Sequence, residues 1–144
     1  MLTRRQILEL IPHQGSMCLL DDVVSWTDDA ITCRSRTHLA QDNPLRRNGE
    51  LNAVSGIEYG LQAAALHGAL VAGHPQPAGY LAAVRAVEIM VPRLDVAEFG
   101  ILAITADLQL HEASGLIYGF ALHSAAGMPL LSGRATILIP TGEP

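Results

Sequence analysis

The chain has 144 residues, of which 49% are hydrophobic and only 16% charged, and its formal net charge is −5. That length suits a single domain over residues 1–144 with a core of its own, and the scarcity of charge leaves too little polar surface for a monomer, which predicts an oligomer. All nine basic residues are Arg, so there is no broad cationic field for a phosphate backbone, which argues against a nucleic-acid partner.

Along the chain, Thr3 caps a short helix from Arg4 to Leu10, with Ile7, Leu8 and Ile11 at helical spacing before Pro12 stops it. This first stretch has no long apolar core followed by a small-residue cleavage site. Cys18 and Cys33 show no C-x-x-C spacing, and a reduced, cytoplasmic setting is expected. Cys18–Trp26 and Ala30–Thr37 read as two strands of a hairpin turned by Thr27, Asp28 and Asp29. His38–Gly49 is polar, broken by Pro44 and Gly49, and reads as a loop.

Leu51–Ala72 is predicted as the longest element, a helix of about 33 Å at the usual rise per residue. A turn over Gly73–Gly79 leads to a strand at Tyr80–Val91, and three more follow around Ile101–Leu110, Leu116–His123 and Pro129–Ile139. Hairpin, long helix, then four strands is the order of an α+β domain with one antiparallel sheet against a helix.

Three readings compete for the long helix: a membrane span, a core helix, or a core helix carrying an active site. Glu58, Gln62 and His67 near its middle, its many small residues and the lack of an aromatic belt argue against the span and against a membrane location. At 100° per residue Ser55, Glu58, Gln62 and Ala65 share one stripe, and His67 falls on the opposite face as a structural histidine. Burial would favour the protonated form of a lone carboxyl here, which suits a general acid; the plainer alternative is that Glu58 bonds to Gln62 or an Arg in the core.

Ile11–Val24 (IPHQGSMCLLDDVV) and Gly56–Ala65 (GIEYGLQAAA) together resemble the hotdog-fold 3-hydroxyacyl-acyl-carrier-protein dehydratases, with their "LPH…LLVDRV" opening and "E-x-x-A-Q" helix start. NPLRRNG and GIEYGLQA are most similar to the divergent branch associated with aryl polyene synthesis. The resemblance implies a hotdog fold, an antiparallel sheet wrapped around a long central helix. It also implies a hydro-lyase that converts a 3-hydroxyacyl thioester on acyl carrier protein or coenzyme A to a trans-2-enoyl thioester, without metal or other cofactor.

In that family an acid on the central helix works with a histidine, usually in a compact "GHFP" motif about fourteen residues earlier. Glu58 takes the acid position, but Pro44 stands where the histidine is expected. His38, in the connecting loop, is the first candidate base and His13 the second, with Gln62 as a further site residue. Backbone N–H groups at Ser55 and Gly56 are expected to hold the thioester oxyanion, Gly56 admitting close approach. The resemblance also implies a homo- or hetero-dimer with the site between subunits, and a docking patch for an acidic carrier among Arg46, Arg47, Arg85 and Arg93. A hotdog acyl thioesterase and a non-catalytic subunit supporting an active partner remain the alternatives.

Overall fold

The computed structural model describes residues 1–77 and 79–139. Of the expected elements, only Ala78 of the Gly73–Gly79 turn and the tail 140–144 of the single domain lie outside the described residues. Seven strands, β1 (Leu2–Thr3), β2 (Asp22–Trp26), β3 (Ala30–Ser35), β4 (Tyr80–Ile89), β5 (Leu102–Glu112), β6 (Gly115–His123) and β7 (Pro129–Leu138), form one sheet. Their order is β1-β2-β3-β5-β6-β7-β4, every pairing is antiparallel, and β1 and β4 are the edges.

Helix α1 (Arg4–Leu8) opens with the expected Thr3 cap, reinforced by a reciprocal bond from the Thr3 N–H to Gln6 Oε1. It stops short of Leu10 because the N–H groups of Leu10 and Ile11 both turn back onto the Ile7 carbonyl, at 2.9 and 3.2 Å.

The long helix α2 (Gly56–Ala72) has 17 residues and packs across β3, β5, β6 and β7. Its expected first turns are extended instead. Leu51–Ala53 pair with the segment at Pro92–Leu94 through Ala53 N–H to Pro92 O and Leu94 N–H to Leu51 O, and a 3-10 turn at Ala53–Ser55 then leads into the helix. Periodicity could not show this, because the competing partners are 40 residues away in sequence. No helix among the described residues is long and apolar enough to cross a membrane.

Helix and sheet approach closely at Gly60, where an added Cβ would lie 2.4 Å from the Phe120 ring. Under the helix the inward side chains of β6 run Leu122, Phe120, Tyr118 in a continuous buried core that also holds Leu66, Leu102 and Ile104. Cys18 and Cys33 are free and buried in that core, and burial pushes the Cys33 thiol up to about 12.

The first strand of the expected hairpin begins at Asp22, not Cys18. Side chains satisfy the Cys18–Leu20 backbone in place of a strand neighbour. Leu19 N–H goes to Gln62, Leu19 O receives the Ser35 and Thr37 hydroxyls, and Arg4 donates to the carbonyls of Cys18 and Leu20.

Candidate active site

Gln62 is buried on α2 and both ends of its amide are committed. Oε1 accepts from Leu19 N–H and Nε2 donates to Met17 O, each at 2.8 Å. It therefore ties the helix to the segment that follows α1 and does not pair with Glu58. Glu58, one turn earlier, is exposed, which corrects the expectation of a carboxyl buried in the core. The helix buries Tyr59, Gly60, Ala63, Leu66 and His67 toward the sheet and turns Glu58 and Ala65 away from it.

Glu58 instead stands in the wall of a cavity of about 660 Å³. The walls come from Leu10–His13, the α2 stripe through Leu61, Ala65 and Gly68, and the sheet side chains Leu108, Leu116 and Ile137. Most of this lining is apolar, as a site for an acyl chain requires.

His13 shares the cavity with Glu58, and its Nδ1 is buried without a hydrogen-bond partner. Its segment is held on both sides. Gln14 Nε2 donates to Leu8 O at 2.8 Å, while the Arg4 guanidinium reaches Gly15 O at 3.0 Å and Cys18 O at 2.7 Å. An imidazole and a carboxyl in the walls of one cavity are able to exchange protons with a molecule bound there.

His38 is not among the residues lining this cavity. It sits in a 3-10 turn at Thr37–Leu39, fully buried, and neither ring nitrogen has a hydrogen-bond partner. Burial pushes its pKa below the ordinary value, against the opposing pull of the nearby Gly100 backbone, which falls short of hydrogen-bond geometry, and of Asp21 and Asp95. A loop histidine had looked free to return to the helix start. The structure instead turns it inward, where the Arg46 guanidinium bonds its carbonyl oxygen at 3.3 Å.

Asn43, next to the Pro44 position, braces the loop. Its amide donates to the Tyr59 hydroxyl at 3.0 Å and to Thr37 O at 2.9 Å, and Tyr59 in turn lies 2.7 Å from the Thr37 hydroxyl.

The oxyanion expectation for Ser55 and Gly56 is corrected as well. The 3-10 turn uses both N–H groups: Ser55 donates to Asn52 O at 3.0 Å and Gly56 to the carbonyls of Ala53 and Val54. The space beside Gly56 is already filled, since a Cβ there would meet Leu122 at 3.1 Å and Leu131 at 3.4 Å. That glycine serves helix–sheet packing.

Of the expected cationic patch, Arg93 pairs with Asp95 at 2.6 Å and Glu50 at 3.2 Å, and Arg46 lies 3.4 Å from Asp95. Arg93 foremost, with backbone N–H groups at Leu51 and Asp95, holds the Asp95 carboxyl well below the usual carboxylate range. Arg47 bonds only backbone carbonyls of its own loop, and Arg85 is exposed directly across from Arg134 on β7.

Sequence reading missed three polar side chains of the cavity, Gln76, His111 and Tyr118. His67 is hydrogen-bonded, as its structural reading expects, with Nδ1 2.7 Å from the Tyr118 hydroxyl and Nε2 2.8 Å from Thr27 O, yet both His67 and Tyr118 line the cavity. Tyr118 lies in a strand whose alternation gave no sign of a polar role. No group of three metal-ligating side chains occurs among the described residues.

No curated protein shows significant similarity to the sequence. Among solved structures, the dehydratase heterocomplex ApeI:P from Xenorhabdus doucetiae superposes with a TM-score of 0.81 at 22% identity, covering 94% of this chain and 91% of that one. A hypothetical thioesterase with coenzyme A from Streptococcus pneumoniae gives 0.61 at 11% identity, covering 83% and 84%. Zebra fish thioesterase superfamily member 2 gives 0.62 at 14% identity, covering 87% and 84%. These likenesses and the sheet topology establish the hotdog fold. With residues 5–143 matching the ApeP-like family, described as ApeP dehydratase, the chain belongs to that dehydratase family.

Proposed function

We propose that the protein dehydrates 3-hydroxyacyl thioesters, carried on acyl carrier protein or coenzyme A, to trans-2-enoyl thioesters. The observation that carries this reading is the apolar cavity of about 660 Å³ with Glu58 and His13 in its wall. The His13 imidazole takes the proton from C2, Glu58 gives its proton to the C3 hydroxyl, and the C3–O bond breaks to release water as the C2–C3 double bond forms. Proton exchange with solvent then restores both groups. The family's dehydratase description supports the reaction class.

Glu58 is open to water in the single chain, whereas an acid protonating a leaving hydroxyl works best with water excluded. A second subunit of the same fold, lying over the rim, supplies that exclusion. The ApeI:P neighbour is a heterocomplex, which supports a different chain as that partner. The same observations favour a second reading, in which this chain contributes Glu58 and the cavity while the partner contributes the histidine. Among the described residues Arg5, Arg36, Arg47, Arg85 and Arg134 have no carboxylate partner and are the arginines left for an acidic carrier.

The test follows enoyl formation from 3-hydroxyacyl thioesters by the protein alone and with a homologous dehydratase subunit, comparing wild type with Glu58→Gln, His13→Ala and His38→Ala. The first reading expects loss in Glu58→Gln and His13→Ala only. Turnover that appears only with the partner and survives His13→Ala selects the second. Release of free acid and thiol would assign a thioesterase instead.

A further inference from the structure

The corner of the chain that carries His13 is short, and hydrogen bonds pin it at both ends. Helix α1 finishes on one carbonyl, since the N–H groups of Leu10 and Ile11 both donate to Ile7 O. That leaves the carbonyls of Leu8 and Ile11 without a backbone donor, and carbonyls at a helix end need one from outside the helix. The Gln14 amide supplies it: Nε2 donates to Leu8 O at 2.8 Å and to Ile11 O at 3.3 Å, which engages both of its protons.

Only Pro12 and His13 separate Ile11 from Gln14. The Pro12 ring holds its own φ near about −65° and removes one N–H from the corner. Beyond Gln14 the Arg4 guanidinium bonds Gly15 O at 3.0 Å and Cys18 O at 2.7 Å. The backbone of His13 therefore runs between two fixed points. Gln14 is itself exposed and is not among the residues lining the cavity, so neither core packing nor contact with a bound molecule accounts for its bridge.

We propose that Gln14 is a positioning residue, whose amide, bridging the Leu8 and Ile11 carbonyls, holds the Pro12–His13 corner so that the His13 imidazole meets C2 of the bound thioester. The proposal rests on the reading that His13 is the base. Gln14 touches no reacting atom and acts through His13. Proton transfer is sensitive to such support, because a displacement of about 1 Å in a reacting group costs up to about a hundredfold in rate.

The test compares wild type, Gln14→Ala, Gln14→Glu and His13→Ala in enoyl formation, under the conditions in which wild type turns over and at temperatures where each variant is folded. Gln14→Ala removes the bridge, and Gln14→Glu keeps its shape while setting a carboxylate against two carbonyls. The expected kcat is about tenfold lower in Gln14→Ala and lower still in Gln14→Glu, with KM within about twofold of wild type, because the cavity walls themselves are unchanged. NMR of ring-labelled histidine reads the corner directly. The His13 Cε1–H signal, assigned by its loss in His13→Ala, should move or broaden in both Gln14 variants. The His67 signal, held by Tyr118 and Thr27, should stay in place.

Wild-type kcat in both Gln14 variants, a change confined to KM, or an unmoved His13 signal overturns the proposal, and an inactive His13→Ala then leaves the base assignment standing. Full activity in His13→Ala removes the base assignment and the proposal with it. Should Gln14→Glu fail to fold, Gln14→Ala at this exposed position decides.

Discussion

Two residues carry sharply different expectations. Glu58 lines the cavity from the first turn of α2, and Glu58→Gln keeps the shape while removing the transferable proton. Its kcat for enoyl formation is expected to fall about a hundredfold or more, with the melting temperature little changed, as steady-state kinetics and a thermal melt would show. His38 bears on stability. Its folded pKa is lowered from the ordinary 6.5, so the unfolded chain binds the extra proton first as pH drops. Stability from this residue is therefore full above about 6.5 and is lost as pH falls below that value toward the folded pKa. Thermal melts between neutral and mildly acidic pH should show this loss in wild type, and His38→Leu should flatten it. An equal slope in the variant would contradict the assignment. Arg93 holds Asp95 low, so its own contribution is lost only at more acid pH.

At the scale of elements, α2 is placed by what it cannot carry as much as by what it buries. The contact of Gly60 with Phe120 leaves no room for a methyl, and Gly60→Ala is expected to cost about 1–3 kcal/mol, measurable by urea denaturation. Gln62 is the tether between α2 and the His13 segment. Gln62→Ala strands the buried Leu19 N–H, with an expected cost of about 1–3 kcal/mol. Because the same bonds hold the Met17–Leu19 segment that follows His13, kcat/KM should fall in that variant even at temperatures where it is fully folded. Gln62 was legible as a site residue through its spacing from Glu58. Its structural use was not, since the groups it bonds belong to residues more than 40 positions earlier.

For the whole molecule, the open edge of β4 is the main unfinished feature. Tyr80, Leu81, Ile89 and the following Met90 are exposed there, and β4 has a strand neighbour on one side only. A bulge between Arg85 and Glu88 leaves that edge irregular, a feature that guards against indiscriminate strand pairing. The proposed second subunit is expected to cover this edge. Leu81→Lys with Ile89→Lys should shift the mass measured by light scattering toward the single chain, whereas an unchanged mass would place the interface elsewhere.

The sequence by itself determined the order of elements, the antiparallel α+β class, the long helix and Glu58 as the chemically distinctive acid, because these rest on local periodicity and on one charge in an apolar run. Tertiary structure alone decided which histidines line a cavity with that acid, that the N–H groups of Ser55 and Gly56 are spent in a 3-10 turn, and that His67 and Tyr118 share that cavity. Each of these depends on which distant backbone group satisfies a local donor or acceptor. His38 is twenty residues from Glu58 and turned inward, while His13, much farther along the chain, is brought to the same cavity by Gln62 and Arg4. Sequence spacing measures neither, since long-range hydrogen bonds and burial set the fold's final geometry.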